Sequence, residues 1–196
     1  MQHRPRSPLA LDLAERVNLQ LRRCGGVARL LEEQLEHLEH WRSCATCSPG
    51  TYRRNLLSLD GLSELLLLGW GEGSGSPVHD HAGQRCWMVV LDGEVEEVQL
   101  RTPHPREAPG PLEVLRRRRL QPGQVAYLTD ALALHQVRPV PGQTALTLHV
   151  YSRPILTCQV YDTETGQVRP HQLTYHTLEG EAVPEAPGQT THAHGP

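Results

Sequence analysis

The 196-residue chain lacks a basic excess and any long apolar run. Its 19 Lys and Arg residues are outnumbered by 22 Asp and Glu residues, which gives a formal net charge of -3. This balance argues against binding to nucleic acid or to a membrane surface. The longest apolar candidate, "LLLLG" at 65–69, has the length of a strand, not the ~20 residues of a membrane-spanning helix. We therefore expect a small-molecule substrate or a protein partner.

The cysteines also lack the regular, even-numbered spacing of a disulfide framework. There are five of them, and an odd, irregular set of this kind does not predict a network of bridges. The N-terminus shows no charged start followed by an apolar run and a small-residue cleavage site. We expect reduced thiols and a cytoplasmic protein whose length suits one core and one site, since domains typically run ~100–200 residues.

The periodicity of the sequence changes near residue 50. Ser7-Pro8 can open a helix, and the apolar residues of "GGVARLLEEQLEHLEHW" recur at helical spacing, so two helices broken at Gly25-Gly26 are predicted over 8–42. From about residue 52, short β-prone segments alternate with Gly, Pro, Asp or Asn, which is typical of an all-β sandwich or small barrel. We divide the chain into an N-terminal helical segment (1–49), a β-barrel domain (50–178) and a flexible C-terminal tail with little apolar material (179–196).

Two local patterns in the β region carry specific expectations. Asp92-Gly93 lies between "RCWMVVL" and "EVEEVQL" and is typical of a two-residue type I′ turn, so the two strands are expected to be antiparallel neighbours. The basic run "RRRR" at 116–119 is expected on a solvated edge strand, where charge discourages sheet-to-sheet association.

Three histidines are candidate metal ligands. On a strand, His79 and His81 point to one face and Asp80 to the other, and imidazole suits iron, copper, nickel or zinc. Two surface histidines would show the same pattern. A third ligand should come from a later strand, and "QPGQVAYLTDALALHQVRPV" offers His135 after a Pro-Gly turn and a short strand. The alternative for His135 is a loop histidine without a ligand role.

The segment "ALTLHVYS" is expected to carry a second polar surface. Alternation places Thr147, His149 and Tyr151 on one face of this strand. A polar face on a central strand is costly unless its groups hydrogen-bond each other or line a cavity. The alternative is an exposed face, which is common in antiparallel sheets.

Two further groups of potential ligands are not expected to bind a metal. The segment "HLEHWRSCATC" has a spacing that could hold zinc, but solvent exposure on the polar side of an amphipathic helix explains its histidines. A second His-x-His pair lies in the predicted tail and lacks the rigid support that a ligand set needs. These groups comprise His37, His40, Cys44 and Cys47, and then His192 and His194.

The surroundings of the first histidine pair resemble a motif of the cupin superfamily. Gly73, His79, His81, Cys86 and Gly93 keep every spacing of the first cupin motif, G(X)5HXH(X)3-4E(X)6G, with cysteine where glutamate is usual. The region of the third histidine matches the second motif less closely. Leu132 and Asp130 stand where that motif has glycine and proline, and Pro139 stands where it has asparagine.

Five ordered matches make most of residues 50–165 resemble cysteine dioxygenase, the thiol-oxidising branch of the cupins. They are "YRRN" at 52–55, "WGEGSGSPVHDH" at 70–81, Cys86, "LHQV" at 134–137 and "LHVYS" at 148–152. The resemblance implies a cupin small β-barrel, or double-stranded β-helix, with the N-terminal α-helices packed on it. It also implies a mononuclear Fe(II) held by His79, His81 and His135. The implied reaction adds both atoms of O2 to the sulfur of L-cysteine and gives cysteine sulfinic acid, a step of cysteine catabolism toward taurine and sulfate.

The same resemblance assigns roles around the metal. Arg54 and Tyr52 would bind the substrate, with Arg54 holding the carboxylate. Cys86 and Tyr151 match the pair that forms a thioether crosslink in animal-type members. The alternative is that Cys86 is simply a small, buried apolar residue.

Two further implications concern His149 and the assembly. His149 would orient the crosslinked tyrosine, with Thr147 in place of the family's usual serine, and the protein would act as a monomer on L-cysteine and O2. The alternatives are a dioxygenase for another small thiol, such as 3-mercaptopropionate or cysteamine, and a non-catalytic metal-binding cupin.

Overall fold

The N-terminal part of the chain is helical, as predicted. The computed structural model describes residues 5–23, 25–104 and 110–183. Helices α1 (Pro8–Arg22), α2 (Val27–Glu32) and α3 (Leu38–Ser43) are present, with a 3-10 turn at Glu33–His37 between α2 and α3. The side chain of Ser7 caps α1 by accepting from the N–H of Ala10, which satisfies a donor that the first turn leaves free. The predicted break is found at Gly26, which has a φ of 81°.

The described residues that follow form thirteen strands in two sheets. The first sheet has the order β13-β12-β1-β2-β9-β4-β7 and the second β11-β10-β3-β8-β5-β6. Pairing is antiparallel except between β1 and β12, which are parallel. The strand bounds are β1 Tyr52–Leu59, β2 Glu64–Trp70, β3 Val78–His79, β4 Cys86–Asp92, β5 Val95–Leu100, β6 Val114–Leu120, β7 Val125–Leu128, β8 Leu134–Pro139, β9 Ala145–Tyr151, β10 Thr157–Tyr161, β11 Val168–Gln172, β12 Thr177–Leu178 and β13 Glu181–Ala182.

The prediction of a hairpin at Asp92-Gly93 is wrong. Strand β4 pairs with β7 and β9, whereas β5 pairs with β6 and β8 in the other sheet. Gly93 has the positive φ that the pattern predicts, 67°, and a Cβ at this position would lie 2.2 Å from the carbonyl oxygen of Thr144. Gly93 therefore allows a tight connection by which the chain crosses from the first sheet to the second, and not a hairpin within one sheet.

The first sheet is buried on both faces. Its outer face, with Leu65, Leu67 and Leu148, packs under the N-terminal helices together with Leu13 and Trp41. Its inner face packs against the second sheet in a separate cluster that includes Leu66, Leu68, Trp70, Met88 and Val160. As a result β2 and β9 are buried along their whole length, and every polar side chain on their inner face lies inside the barrel.

Strand β6 is the edge of the second sheet, as predicted for the basic run at 116–119. Most of its side chains are exposed, but Arg118 turns toward β5 and pairs with Glu97 at 2.6 Å. At the C-terminal end, β13 pairs with β12. The rest of the predicted tail, residues 184–196 with its two histidines, lies outside the described residues. Across the part of the chain that is described, no helix has the length and apolar character needed to cross a membrane.

Candidate metal centre and substrate cavity

His79, His81 and His135 meet at one end of the barrel. His79 on β3 is the direct antiparallel partner of His135 on β8, and His81 follows two residues after His79. The three ring centroids lie 4.7–5.3 Å apart. One potential ligand atom from each histidine lies within 4.8 Å of the others. Among the described residues, this is the only cluster of at least three His, Cys, Asp or Glu side chains with such spacing.

Hydrogen bonds orient two of the three rings through Nδ1. Nδ1 of His79 lies 2.9 Å from the carbonyl oxygen of Pro77, and Nδ1 of His135 lies 3.1 Å from Oε1 of Glu97. Since both partners are acceptors, each Nδ1 carries the proton and leaves the Nε2 lone pair free. This arrangement is the usual way in which a protein fixes the tautomer of a metal-binding histidine.

Asp130 holds the backbone of the third histidine. Its carboxylate accepts the N–H groups of His81 at 2.7 Å and of Gly83 at 2.6 Å, and Oδ1 lies 3.5 Å from the His81 ring nitrogen Nδ1. Burial alone would raise the pKa of Asp130, but these contacts hold this pKa below its ordinary value. Asp130 therefore remains a carboxylate that supports the loop after β3.

The donor set fits a divalent transition metal. Both ring nitrogens of His81 are buried without a hydrogen-bond partner, and an unpartnered buried polar atom is costly unless an unrecorded group satisfies it. Burial and the neighbouring histidines hold the pKa of His79 well below its ordinary value, and burial lowers that of His135. Neutral imidazoles are the form that binds a metal ion, so these residues could hold one through three nitrogens.

Arg54 lines the same cavity but is not free of partners. Its side chain is 6% exposed, and Nη2 lies 2.7 Å from Oε1 of Glu64. The guanidinium lies over the ring of Tyr175 at 5.5 Å, while Nε is buried without a partner. Arg53 takes another direction, as alternation predicts, and donates to Ser48 Oγ at 2.8 Å.

Glu64 was not identified from the sequence. It opens β2 and is 0% exposed. Its carboxylate accepts from Arg54, from the N–H of Ile155 at 2.7 Å and from the Tyr175 hydroxyl at 2.9 Å. Burial raises the pKa of Glu64, and the ion pair with Arg54 opposes this rise. The arginine that the sequence predicted in the cavity is thus one half of a buried ion pair.

Thr147, His149 and Trp70 form a hydrogen-bonded chain inside the barrel. The indole N–H of Trp70 donates to Thr147 Oγ1 at 2.8 Å, and the same hydroxyl is hydrogen-bonded to Nε2 of His149, also at 2.8 Å. The polar face predicted for β9 is therefore buried and not exposed to solvent, although Nδ1 of His149 has no hydrogen-bond partner. The threonine methyl group does not prevent either contact.

Cys86 and Tyr151 lie directly opposite each other on β4 and β9. Both side chains are buried. Burial raises the pKa of the Cys86 thiol and of the Tyr151 hydroxyl well above their ordinary values. The Tyr151 ring lies 6.0 Å from the ring of His81 and 6.1 Å from that of His149, which places the phenol beside the candidate metal ligands.

All of the predicted site residues except Cys86 line one cavity. Cys86 lies opposite Tyr151 in the pairing of β4 and β9. The lining of the cavity also contains side chains for which sequence reasoning predicted no catalytic role. The lining residues include Tyr52, Arg54, Trp70, His79, His81, His135, His149, Tyr151, Ile155, Cys158 and His171. Tyr52 stacks on Trp70 with ring centroids 5.1 Å apart.

The possible zinc site near the N-terminus is not assembled. His40 Nε2 lies 3.0 Å from Ser7 Oγ and 3.7 Å from Cys44 Sγ, but His37 and Cys47 are exposed and join no cluster of ligands among the described residues.

Comparison with known proteins identifies relatives over most of the chain. Residues 4–164 match the family model described as cysteine dioxygenase type I. The curated relatives include cysteine dioxygenase type 1 of Danio rerio, which is 32% identical over 160 residues, covering 81% of this chain and 79% of the relative. Cysteine dioxygenase type 1 of Homo sapiens is 31% identical over 164 residues, covering 82% and 80%.

Partial matches to solved structures were also found. TT1209 from Thermus thermophilus is 25% identical, with a TM-score of 0.45, over 58% of this chain and 95% of that chain. The Schizosaccharomyces pombe Cnp3 cupin domain is 10% identical, with a TM-score of 0.41, over 53% and 61%. The family match and the two-sheet architecture together confirm the expected all-β cupin barrel with N-terminal helices.

Proposed function

Because the chain belongs to the cysteine dioxygenase type I family, we propose that it oxidises L-cysteine to cysteine sulfinic acid with Fe(II) as its metal. The observation that carries this proposal is the convergence of His79, His81 and His135 in one cavity with Arg54. Both atoms of O2 go to the substrate sulfur. The four-electron oxidation of sulfur then balances the four-electron reduction of O2, so no further reductant is needed.

Three neutral nitrogen ligands suit a thiol substrate. Bound Fe(II) would supply the activation of O2 next to the substrate sulfur. A site without a ligand carboxylate leaves the positive charge of the metal available to a thiolate, and the first cupin motif of this chain has Cys86 where that carboxylate is usual. The tautomers set by Pro77 and Glu97 support this role for His79 and His135.

Arg54 is the proposed partner of the substrate carboxylate. A buried guanidinium offers donors in a fixed fork, which suits a carboxylate better than a single ammonium would. Its Nε has no partner in the protein, and Tyr52 lies in the same cavity wall. These observations support a substrate role for both residues.

Cys86 and Tyr151 are the proposed thioether pair. Their directly opposed positions on β4 and β9 and the burial of both side chains support the crosslink. Formation of the carbon–sulfur bond removes two hydrogen atoms, and O2 is the proposed oxidant. The crosslink would fix the Tyr151 ring beside the metal, and His149 would contribute to its orientation. A cytoplasmic location and a monomeric state remain predictions.

The test is oxygen uptake by the Fe(II)-loaded protein with L-cysteine, 3-mercaptopropionate and cysteamine, with the products identified by mass spectrometry. We expect the sulfinate of L-cysteine, and we expect His79→Ala, His81→Ala and His135→Ala each to abolish iron binding and turnover. His37→Ala is the matched control because this exposed histidine lies outside the cavity. Iron binding without oxygen uptake for any of the three thiols would support a non-catalytic metal-binding cupin instead.

A further inference from the structure

The ion pair between Arg54 and Glu64 changes the charge that a substrate meets. We propose that Glu64 is a specificity-determining residue that neutralises Arg54 in advance. The cavity would then accept thiols with an uncharged group where L-cysteine has its carboxylate. This inference rests on the proposed function, since it concerns the substrate of the same site.

The pair is fixed beside the cavity, because Arg54 lines it and Glu64 is buried against Arg54. Glu64 is 0% exposed and Arg54 is 5% exposed, so water does not screen their interaction. The carboxylate is held by three donors, from Arg54, from the Ile155 N–H and from the Tyr175 hydroxyl. Three donors favour the ionised carboxylate, and two of them, the guanidinium and the amide N–H, cannot accept a hydrogen bond from the O–H of a carboxylic acid.

The charges of Arg54 and Glu64 therefore sum to zero. The guanidinium contributes one positive charge and Glu64 one negative charge, while the neighbouring aromatic groups are the neutral rings of Tyr52 and Tyr175. An incoming carboxylate is attracted by Arg54 and repelled by Glu64. At an effective dielectric constant of ~20, unit charges ~10 Å apart change a binding constant by about tenfold, and charges closer together change it by more.

A purely structural role for Glu64 makes the opposite prediction. If the carboxylate only held Arg54 in position for the substrate, its loss would weaken binding of L-cysteine. If it offsets the charge of Arg54, its loss leaves an uncompensated guanidinium, which would bind a carboxylate more tightly. The sign of the change distinguishes the two roles.

The experiment compares L-cysteine with L-cysteinamide, which keeps the thiol and amine and replaces the carboxylate by an uncharged amide. Affinities are measured by anaerobic calorimetry on the Fe(II)-loaded protein. We expect wild type to prefer L-cysteine by less than tenfold, and Glu64→Gln to raise that preference at least tenfold. Tyr175→Phe is the matched control, because it removes a hydrogen bond from the same carboxylate without changing charge, and it should leave the preference near that of wild type.

Two results would overturn the inference. One is a wild-type preference for L-cysteine well above tenfold, which requires no variant and so does not depend on the folding of Glu64→Gln. The other is an unchanged or smaller preference in folded, iron-loaded Glu64→Gln. Because binding is measured without O2, absence of oxygen uptake together with the expected selectivity would reject only the proposed reaction, whereas failure of wild type to bind either thiol would reject both.

Discussion

Replacement of Glu97 by Gln should weaken metal binding although the residue is not a candidate ligand. Glu97 is 0% exposed and accepts from Nδ1 of His135 at 3.1 Å, from Nε of Arg118 at 2.6 Å and from Nε2 of Gln99 at 3.1 Å. Burial alone would raise the pKa of Glu97, but His135 and Arg118 hold this pKa below its ordinary value. The carboxylate thus fixes the His135 ring and increases its basicity as a ligand.

The expected size of the effect follows from these contacts. Loss of a carboxylate behind a metal-binding histidine typically costs ~10–100-fold in metal affinity, or about 1.4–2.7 kcal/mol. Removal of one partner from a fully buried ion pair costs ~3–5 kcal/mol of stability. Because the Arg118 side chain is 21% exposed, water can hydrate it in the variant, so we expect a stability loss of about 2 kcal/mol.

The assay is an anaerobic titration with Co(II), with urea unfolding of the apoprotein as the stability measurement. Glu96→Gln is the matched control, because it makes the same chemical change at the next position of β5, where the side chain pairs with Arg138 at the surface. We expect Glu96→Gln to bind Co(II) like wild type. Wild-type affinity for Co(II) in folded Glu97→Gln would refute the reasoning that Glu97 supports the metal ligand.

Three other predictions test separate parts of the structure. Cys86→Gly should remove the crosslinked species seen on denaturing gels yet retain measurable activity; a fully inactive, iron-loaded variant would contradict the view that the bond to Tyr151 only tunes the chemistry. Gly71→Ala should cost about 3 kcal/mol or more in urea unfolding, since its Cβ would lie 1.7 Å from the Ser48 carbonyl oxygen; wild-type stability would rule out this close approach. Burial raises the pKa of Cys158 to about 11, whereas a cysteine in the unfolded chain has a pKa of ~8.5. The buried thiol should therefore contribute fully to stability below pH ~8.5, and this contribution should be lost as the pH rises toward 11. Urea unfolding at pH 8, 9.5 and 11 should show a smaller decline for Cys158→Ala than for wild type, and equal declines would exclude this assignment.

Local signals in the sequence predicted most of the elements. The cap at Ser7 and the break at Gly26 depend on side chains and backbone angles within a few residues, and both are found where expected. The turn at Asp92-Gly93 shows the limit of such signals. Its positive φ is a local property, but the sheet that the next strand joins is decided by tertiary packing, and β5 pairs with β8 and not with β4.

The candidate ligands were predictable to different degrees. Alternation along a strand and the motif spacing both indicated His79 and His81. For His135 the sequence offered a candidate after a Pro-Gly turn, but the ligand role came from the resemblance to a family, because nothing in its own segment shows that β8 pairs with β3. The structure supplies this missing step by placing His135 directly opposite His79.

Glu97 was not predictable from the pattern around it. In "EVEEVQL" the apolar residues fall on both faces of the strand, since Val95 shares a face with Glu97 whereas Val98 shares one with Glu96. The alternation that indicates a half-buried strand is therefore absent, and both glutamates look like surface residues. Only the position of β5 between β6 and β8 brings Glu97 to both Arg118 and His135.

Glu64 shows why the charge of a site is harder to predict than its motif. In the register of β1 and β2, Arg54 pairs with Leu68 and Glu64 with Leu59, so backbone pairing does not bring the two charged residues together. The length of the arginine side chain does, and the N–H of Ile155 and the hydroxyl of Tyr175, both distant in sequence, hold the carboxylate in place. The family resemblance identifies the arginine, whereas these neighbours set the net charge that a substrate carboxylate encounters.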